Sequence, residues 1–360
     1  MSDPIVVVGG RVVTSSGIEE TTITIRDGVI DSVGPPSDID GRIIDASGLV
    51  VAPGYMDLQC NGSYGIELAG EPERLWDLAG LLPRHGVTSY LPTIISGPPA
   101  IVDRALAAIR RRPPAFRGTE PLGLHLEGPM LNPDRRGAHA LDDLRPATQA
   151  IIEGWSKSAG VAMVTLAPEL PGAVDVIRTL CQRRVLVSAG HTDANTAEMR
   201  QAVDAGVTAV THLFNGMAPF AHREPGPVGV ALSDERLVAG VIVDGVHLHP
   251  LTVAAVWRAL GPNRLAVVTD TVATAEKART PAGRLAGSVV PMDQAVRNLR
   301  AFTGCSVTDV IASATSTPAR MIGATSKGVV APGYDADLVL LTPALDVRAT
   351  LVAGEVVFES

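Results

Sequence analysis

Aromatic residues and cysteines are scarce in this sequence. Only 3% of the 360 residues are aromatic although 46% are hydrophobic, so the core must be built from aliphatic side chains. The three cysteines, Cys60, Cys181 and Cys305, have no disulfide-framework spacing, which favours a reducing compartment. The N-terminal segment has neither a basic start nor a long apolar stretch, so we expect a cytoplasmic protein without a signal peptide or membrane span.

Long basic runs are also absent. The net charge is -8, and a nucleic-acid partner is therefore not expected. A chain of 360 residues, apolar and punctuated by 36 glycines and 27 prolines, is globular rather than disordered. Its length suffices for one large α/β domain and a small additional one.

Strand-forming segments lie at both ends of the chain. Short strands are predicted at 5–8, 11–14, 21–26 and 29–33, and again at 337–341, 347–352 and 355–358. We therefore expect residues 1–52 and 329–360 to form one small β-sandwich domain. Residues 53–328 would then form the large domain.

Strand and helix candidates alternate through the large domain. Strands are predicted at 54–58, 88–91, 122–126, 162–166, 185–189, 209–213, 238–243 and 265–269, and helices at 72–85, 101–112, 193–205 and 250–260. Eight strands with helices between them predict an α/β fold of the (β/α)8 TIM barrel type. A doubly wound sheet is the alternative, but no Gly-rich phosphate fingerprint follows the first strand.

Unusual polar residues coincide with the ends of these apolar strands. They are Gln59 and Asn61 after the first strand, Glu127 ending the third, His191 ending the fifth, His212 within the sixth and Asp270 ending the eighth. Catalytic groups of a barrel gather at the C-terminal ends of its strands, so we expect one shared rim.

Glu127, His191 and His212 are candidate metal ligands. Two imidazoles and one carboxylate are a common set for a catalytic zinc with one open position, and they also suit iron(II). Core histidines bonded to the backbone are the alternative.

Asp270 is the candidate general base, because a carboxylate beside a metal can accept the proton of the activated water and pass it to a leaving nitrogen. A capping role is the alternative for Asp270.

Five sequence blocks carry a family resemblance. They are 125–129 (HLEGP), 190–192 (GHT), 211–217 (THLFNGM) continuing into 223–226 (REPG), 244–247 (DGVH) and 268–270 (VTD). With them the chain resembles N-acetylglucosamine-6-phosphate deacetylases of the amidohydrolase superfamily over nearly its full length. The runs 53–57 and 331–338 look like general superfamily marks that indicate the fold and not the substrate.

The resemblance implies a reaction and the residues that perform it. The reaction is hydrolysis of N-acetylglucosamine 6-phosphate to glucosamine 6-phosphate and acetate. Glu127, His191 and His212 would hold the metal, Asp270 would be the acid/base, and His139 would polarise the acetyl carbonyl.

The resemblance also implies the substrate contacts and the assembly. Asn215 and Gly216 would contact the sugar or phosphate, and Arg223 and His247 would bind the phosphate, in a homodimer that leaves open a contribution from the neighbouring subunit. A surface ion pair with Glu224 is the alternative for Arg223.

Two departures from the family pattern bear on function. Many superfamily members have His-x-His after the first strand and hold two metals. This chain has Gln59-Cys60-Asn61, so we expect one metal and interpret Gln59 and Asn61 as a vestigial second-metal position. The segment 271–286 is short for the family. A more open pocket would admit a different or unphosphorylated N-acetyl amino sugar, and a non-catalytic sugar-phosphate-binding homologue is the remaining alternative.

Overall fold

The structure is a computed structural model that describes residues 3–14, 16–35, 41–273 and 285–360. Most of the short segment after Asp270, residues 274–284, lies outside these ranges. In the described ranges, no helix combines the length and the apolar character needed to cross a membrane.

Strands and helices of the described residues are numbered in chain order. The strands are β1 (Ile5–Val8), β2 (Arg11–Thr14), β3 (Gly17–Glu20), β4 (Thr22–Arg26), β5 (Val29–Gly34), β6 (Arg42–Asp45), β7 (Val50–Pro53), β8 (Tyr55–Cys60), β9 (Gly62–Ser63), β10 (Ile66–Glu67), β11 (Val87–Ile95), β12 (Glu120–Pro121), β13 (Leu124–Glu127), β14 (Val161–Leu166), β15 (Leu186–Ala189), β16 (Ala209–Val210), β17 (Val238–Ile242), β18 (Leu265–Val268), β19 (Leu338–Leu341), β20 (Val347–Val352) and β21 (Glu355–Glu359). The α-helices are α1 (Leu75–Ala79), α2 (Pro99–Ile109), α3 (Ala173–Gln182), α4 (Thr196–Ala205), α5 (Gly226–Ser233), α6 (Pro250–Arg264), α7 (Met292–Thr303), α8 (Val307–Ala314) and α9 (Ser316–Ile322).

Eight parallel strands form the central barrel. Their order is β8-β11-β13-β14-β15-β16-β17-β18, and each neighbouring pair is parallel. The barrel closes where the Asp270 N–H donates to the Gln59 carbonyl at 2.8 Å and Cys60 bridges to Thr271. The predicted TIM barrel is confirmed. Strands buried on both faces read as short apolar runs, and this is why all eight could be found in the sequence.

Two of the sequence predictions need correction. The sixth strand, β16, ends at Val210, so His212 follows the strand and does not lie within it. The predicted helix at 72–85 is instead α1 flanked by 3-10 turns at Pro72–Arg74 and Leu82–His85. Pro83 has no N–H to offer the Ala79 carbonyl, and that carbonyl accepts the Thr119 N–H at 2.9 Å instead.

The terminal strands form two further sheets. One has the order β5-β4-β1-β6 and the other the order β21-β20-β19-β7-β2-β3, so strands from both ends of the chain meet in the second sheet. Both sheets contribute to one aliphatic core that includes Val7, Ile23, Val51, Leu338 and Leu351. The exact domain boundaries at 52/53 and 328/329 stay predictions.

Candidate active site

A cavity of about 450 Å³ opens at the C-terminal ends of the barrel strands. The sequence-predicted residues that line it are Asn61, Glu127, His139, His191, His212, Asn215, Gly216, His247 and Asp270. Gln59 lies directly behind this surface, where its side chain contacts Glu127. Arg223 is the predicted site residue that the fold does not bring to the cavity of its own chain.

Three buried ligand atoms converge at the base of the cavity. Glu127 Oε1 lies 3.1 Å from both His191 Nε2 and His212 Nε2, and the two nitrogens are 3.0 Å apart. In a tetrahedral zinc site with Zn–N bonds of about 2.0–2.1 Å, ligand atoms are separated by roughly 3.3–3.4 Å. The spacing of the three atoms therefore fits a divalent cation held between them.

Hydrogen bonds on the far sides of the rings distinguish the histidines. The His191 Nδ1 donates to the Arg135 carbonyl at 2.8 Å, so its Nε2 carries a free lone pair. The His139 Nδ1 instead accepts the Ser96 N–H at 3.2 Å, so a neutral His139 carries its proton on Nε2. By distance alone Glu127, His139 and His191 could hold a metal. The proton on Nε2 makes His139 a hydrogen-bond donor, and its tautomer favours His191 over His139 as a ligand. His212 joins Glu127 and His191 by distance, since among the described residues its Nδ1 has no hydrogen-bond partner.

Burial and mutual charge determine the ionisation of the site. Burial alone would raise the pKa of Glu127, but hydrogen bonds and charge from His191 and His212 together lower it well below its ordinary value. Burial lowers the pKa of His139 to about 3, so its ring is neutral. Burial and the nearby Glu127 charge raise the pKa of Asp270 to about 6, which leaves it ionised at neutral pH and able to exchange a proton.

Two side-chain amides contact the two carboxylates. The Gln59 Nε2 donates to Glu127 Oε1 at 3.1 Å, and the Asn61 Nδ2 donates to Asp270 Oδ1 at 2.6 Å. The position that the sequence suggests as a vestigial metal site thus presents N–H groups toward both carboxylates.

The backbone turns in the same way at three residues of the site. His191, His212 and Asp270 each lie two positions beyond the last residue of β15, β16 and β18. Their φ angles are 49°, 32° and 50°, in the left-handed region that non-glycine residues rarely adopt. Such a conformation costs on the order of 1–3 kcal/mol and persists only where the surroundings enforce it.

Sequence reasoning missed Asp57, which lies in β8 two residues before Gln59. Its Oδ1 accepts the backbone N–H groups of Gln59 and Thr269, both at 3.2 Å, and its Oδ2 accepts the Thr269 hydroxyl. Burial raises the pKa of Asp57 to about 7, although the hydrogen bonds oppose this. A lone carboxylate inside the apolar run 55–58 was the available signal.

His125 lies in the barrel interior on β13. Its Nδ1 donates to the Leu58 carbonyl at 3.1 Å and its Nε2 accepts the Thr165 hydroxyl at 2.7 Å. Burial lowers the pKa of His125 to about 4, so the ring is a neutral bridge between strands.

The remaining predicted contacts surround the cavity. Gly216 has a φ of 60°, and a Cβ there would lie 2.9 Å from His191 Nδ1, so the site needs a glycine. The Asn215 amide donates to the His212 carbonyl at 3.2 Å. His247 donates through Nδ1 to Asp244 at 2.8 Å, which leaves its Nε2 for a ligand.

Arg223 is exposed on the segment between Met217 and α5. In the part of the chain that the structure describes, it has no ion pair. Glu224, the alternative partner, instead accepts the Thr196 N–H at 2.7 Å. The guanidinium is therefore free to reach another molecule.

Comparisons with known proteins agree with this geometry. The model of the amidohydrolase family matches residues 51–357. The N-acetylglucosamine-6-phosphate deacetylase of Homo sapiens is 37% identical over 352 residues, covering 88% of this chain and 85% of that protein. The deacetylase of Bacillus subtilis (strain 168) is 34% identical over 372 residues, covering 95% and 94%. The chain belongs to the amidohydrolase family and, within it, to the N-acetylglucosamine-6-phosphate deacetylases.

Solved structures of these deacetylases share the whole fold. The Thermotoga maritima enzyme superposes with a TM-score of 0.91 at 29% identity, covering 99% of this chain and 100% of the other. A mutant of the Mycobacterium smegmatis enzyme, in complex with N-acetyl-D-glucosamine-6-phosphate, gives 0.90 at 29% identity and the same coverage. The family resemblance found in the sequence is therefore confirmed for this amidohydrolase.

Proposed function

We propose that the protein hydrolyses the acetamide of N-acetylglucosamine 6-phosphate to glucosamine 6-phosphate and acetate. One observation carries the proposal: a convergent carboxylate and imidazole pair lies in the same cavity as Asp270 and the donor His139. Amide hydrolysis needs those elements, namely a cation site, an acid/base and a stabiliser of the developing oxyanion.

Glu127, His191 and His212 would hold one divalent cation, which we propose is zinc, with iron(II) as the alternative. When bound, the cation supplies Lewis-acid chemistry, because it lowers the pKa of water and polarises a carbonyl oxygen. The tautomer of His191 is fixed for this task by the Arg135 carbonyl.

Asp270 and His139 would perform the proton transfer and the charge stabilisation. Ionised Asp270 accepts the proton of the attacking water and then donates it to the amine nitrogen as the C–N bond breaks. A pKa of about 6 suits both steps near neutral pH. His139 donates its Nε2–H to the acetyl oxygen as negative charge develops there, and Ser96 holds the ring in the required tautomer.

We propose that the sugar phosphate binds across a dimer interface. His247, oriented by Asp244, and Asn215 and Gly216 would contact the sugar or phosphate from within the cavity. Arg223 lies outside its own cavity, so we infer that it binds the phosphate in the site of the other subunit of a homodimer. The three cysteines are unpaired, in keeping with a reducing, cytoplasmic location.

Acetate release tests the proposed function. Metal-loaded protein is given N-acetylglucosamine 6-phosphate or unphosphorylated N-acetylglucosamine, with chelator-treated protein as the control. We expect release from the phosphorylated sugar, little from the other, and none without metal. Equal release from both sugars would favour the alternative of an unphosphorylated substrate. No release from either, with metal bound, would refute the proposal.

A further inference from the structure

Gln59 and Asn61 are two buried amides whose side chains contact the functional carboxylates. Gln59 is 2% exposed and donates to Glu127 at 3.1 Å, while Asn61 is 4% exposed and donates to Asp270 at 2.6 Å. The backbone of the same segment is fixed to the strand that carries Asp270. The Gln59 carbonyl accepts the Asp270 N–H at 2.8 Å, and the Asn61 N–H donates to the Thr271 carbonyl at 2.9 Å.

The direction of these bonds determines what the amides can do. Each amide presents its N–H2 group to a carboxylate, so its nitrogen can only donate there and cannot bind a cation. A second cation between Glu127 and Asp270 would need acceptor atoms from this segment. The observed orientation therefore favours hydrogen-bond donation over cation binding at this pair, and the vestigial second-metal position stays a prediction.

A buried carboxylate that lacks donors is costly, and it is also free to rotate. Glu127 and Asp270 are 3% and 8% exposed, and both carry charge in the same small cavity. Hydrogen bonds from neutral donors stabilise such a charge without adding a competing cation. Each bond also selects one rotamer. In Glu127 the bonded oxygen, Oε1, is the one that faces His191 and His212, whereas in Asp270 the bond to Oδ1 leaves Oδ2 in a defined direction.

We propose that Gln59 and Asn61 are positioning residues with separate tasks. Gln59 orients the Glu127 carboxylate toward His191 and His212 and so raises the affinity for the cation. Asn61 holds the Asp270 carboxylate in the rotamer that exchanges protons with the water and the leaving amine. This inference rests on the proposed function for the Asn61 task, whereas the Gln59 task requires only that the site bind a metal.

The two tasks can be separated by isosteric variants that lack the donor. In Gln59→Met the dissociation constant for Zn²⁺, measured by competition with a chromophoric chelator, should rise about 10–100-fold, a larger change than that in kcat at saturating metal. In Asn61→Leu the dissociation constant should stay within about threefold, while kcat falls about 10–100-fold and KM changes little. Each variant is the control for the other.

A second pair of aliphatic variants guards against a loss that comes only from poor folding. Gln59→Leu and Asn61→Val also lack the donor but differ in shape from the first pair, and each should reproduce the defect of its own position. Similar losses of both metal affinity and kcat in all four variants would overturn the proposal, because that pattern indicates general disruption. Unchanged metal affinity in both Gln59 variants, or unchanged kcat in both Asn61 variants, would also overturn it.

A double-mutant cycle keeps the test independent of the substrate. Asn61→Leu should lower the urea midpoint of metal-free protein when Asp270 is present, and lower it much less in an Asp270→Leu background. If the wild type released no acetate from the sugar phosphate, the proposed function would fail. The metal affinities and this cycle would still decide whether the two amides hold their carboxylates. Equal shifts in both backgrounds would refute the Asn61 contact.

Discussion

Asp57 should make the stability of the metal-free protein depend on pH. In the folded protein, burial raises its pKa to about 7, whereas an unfolded chain releases the same proton near about 3.9. The folded state therefore holds this proton more tightly, so its stabilising effect is present at low pH and is lost as pH rises toward 7. The free energy of unfolding should fall by up to about 1.4 kcal/mol per pH unit between the two pKa values.

The substitution Asp57→Asn isolates this contribution. Asparagine can keep the carbonyl-type oxygen that accepts the Gln59 and Thr269 N–H groups, but it cannot ionise. Between about pH 5 and about pH 8, the wild type should lose about 2–3 kcal/mol relative to the variant. The stability of the variant should therefore increase relative to that of the wild type as pH rises, although Asp57 is nearly inaccessible to solvent at 2% exposure.

Urea unfolding of chelator-treated protein at several pH values measures the difference directly. Metal must be removed because cation affinity itself changes with pH. Asp103→Asn, at an exposed position of α2, reports the effect of the same substitution without burial. A stability gap between wild type and Asp57→Asn that stays constant across this pH range would refute the reasoning, since the carboxyl would then not titrate differently in the folded state.

Three other substitutions test the site, and a fourth is a control. Asp270→Asn should lower turnover about 10²–10⁴-fold with metal content unchanged, as followed by acetate release and metal analysis, and retained turnover would exclude Asp270 as the acid/base. Arg223→Ala should raise KM for the phosphorylated sugar about 10–100-fold and leave the unphosphorylated sugar unaffected, so equal effects on both would contradict phosphate binding. Gly216→Ala and Gly304→Ala both add a Cβ at a positive φ, of 60° and 69°, and each should cost roughly 1–3 kcal/mol of stability in urea unfolding. Only Gly216→Ala should also weaken metal binding, because its Cβ meets His191, while nothing lies within 4 Å of a Cβ at Gly304. Equal metal affinity in the two variants would argue against the contact with His191.

The barrel could be predicted because its strands are buried on both sides. Each such strand is a short apolar run, and Glu127 could be located as the carboxylate that ends one of them. The extents of weaker elements could not be predicted. β16 is only two residues long and ends before His212. The strand-like sequence pattern that predicted the element continues past this point without a break.

The orientation of side-chain polar groups could not be predicted from the sequence. A side-chain amide can present either its oxygen or its N–H2 group. The residue types of Gln59 and Asn61 are therefore as compatible with a metal ligand as with a hydrogen-bond donor. Only their contacts with Glu127 and Asp270 distinguish the two. The tautomer of His139 depends in the same way on the distant Ser96. Asp57 was overlooked because two of its hydrogen bonds come from Thr269, which only the fold brings close.

The residues with a left-handed φ at the strand ends imply a conflict between the stability of the fold and the chemistry of the site. His191, His212 and Asp270 share a positive φ at the same offset from their strands, and all three line the cavity. Glycine would relax that conformation at each position and abolish the chemistry. Glycine in place of His191 or His212 would also remove a ring whose hydrogen bond and charge stabilise the buried Glu127, so the relaxed backbone is offset by a less stable carboxylate. The strained conformation and the ligand set are therefore coupled.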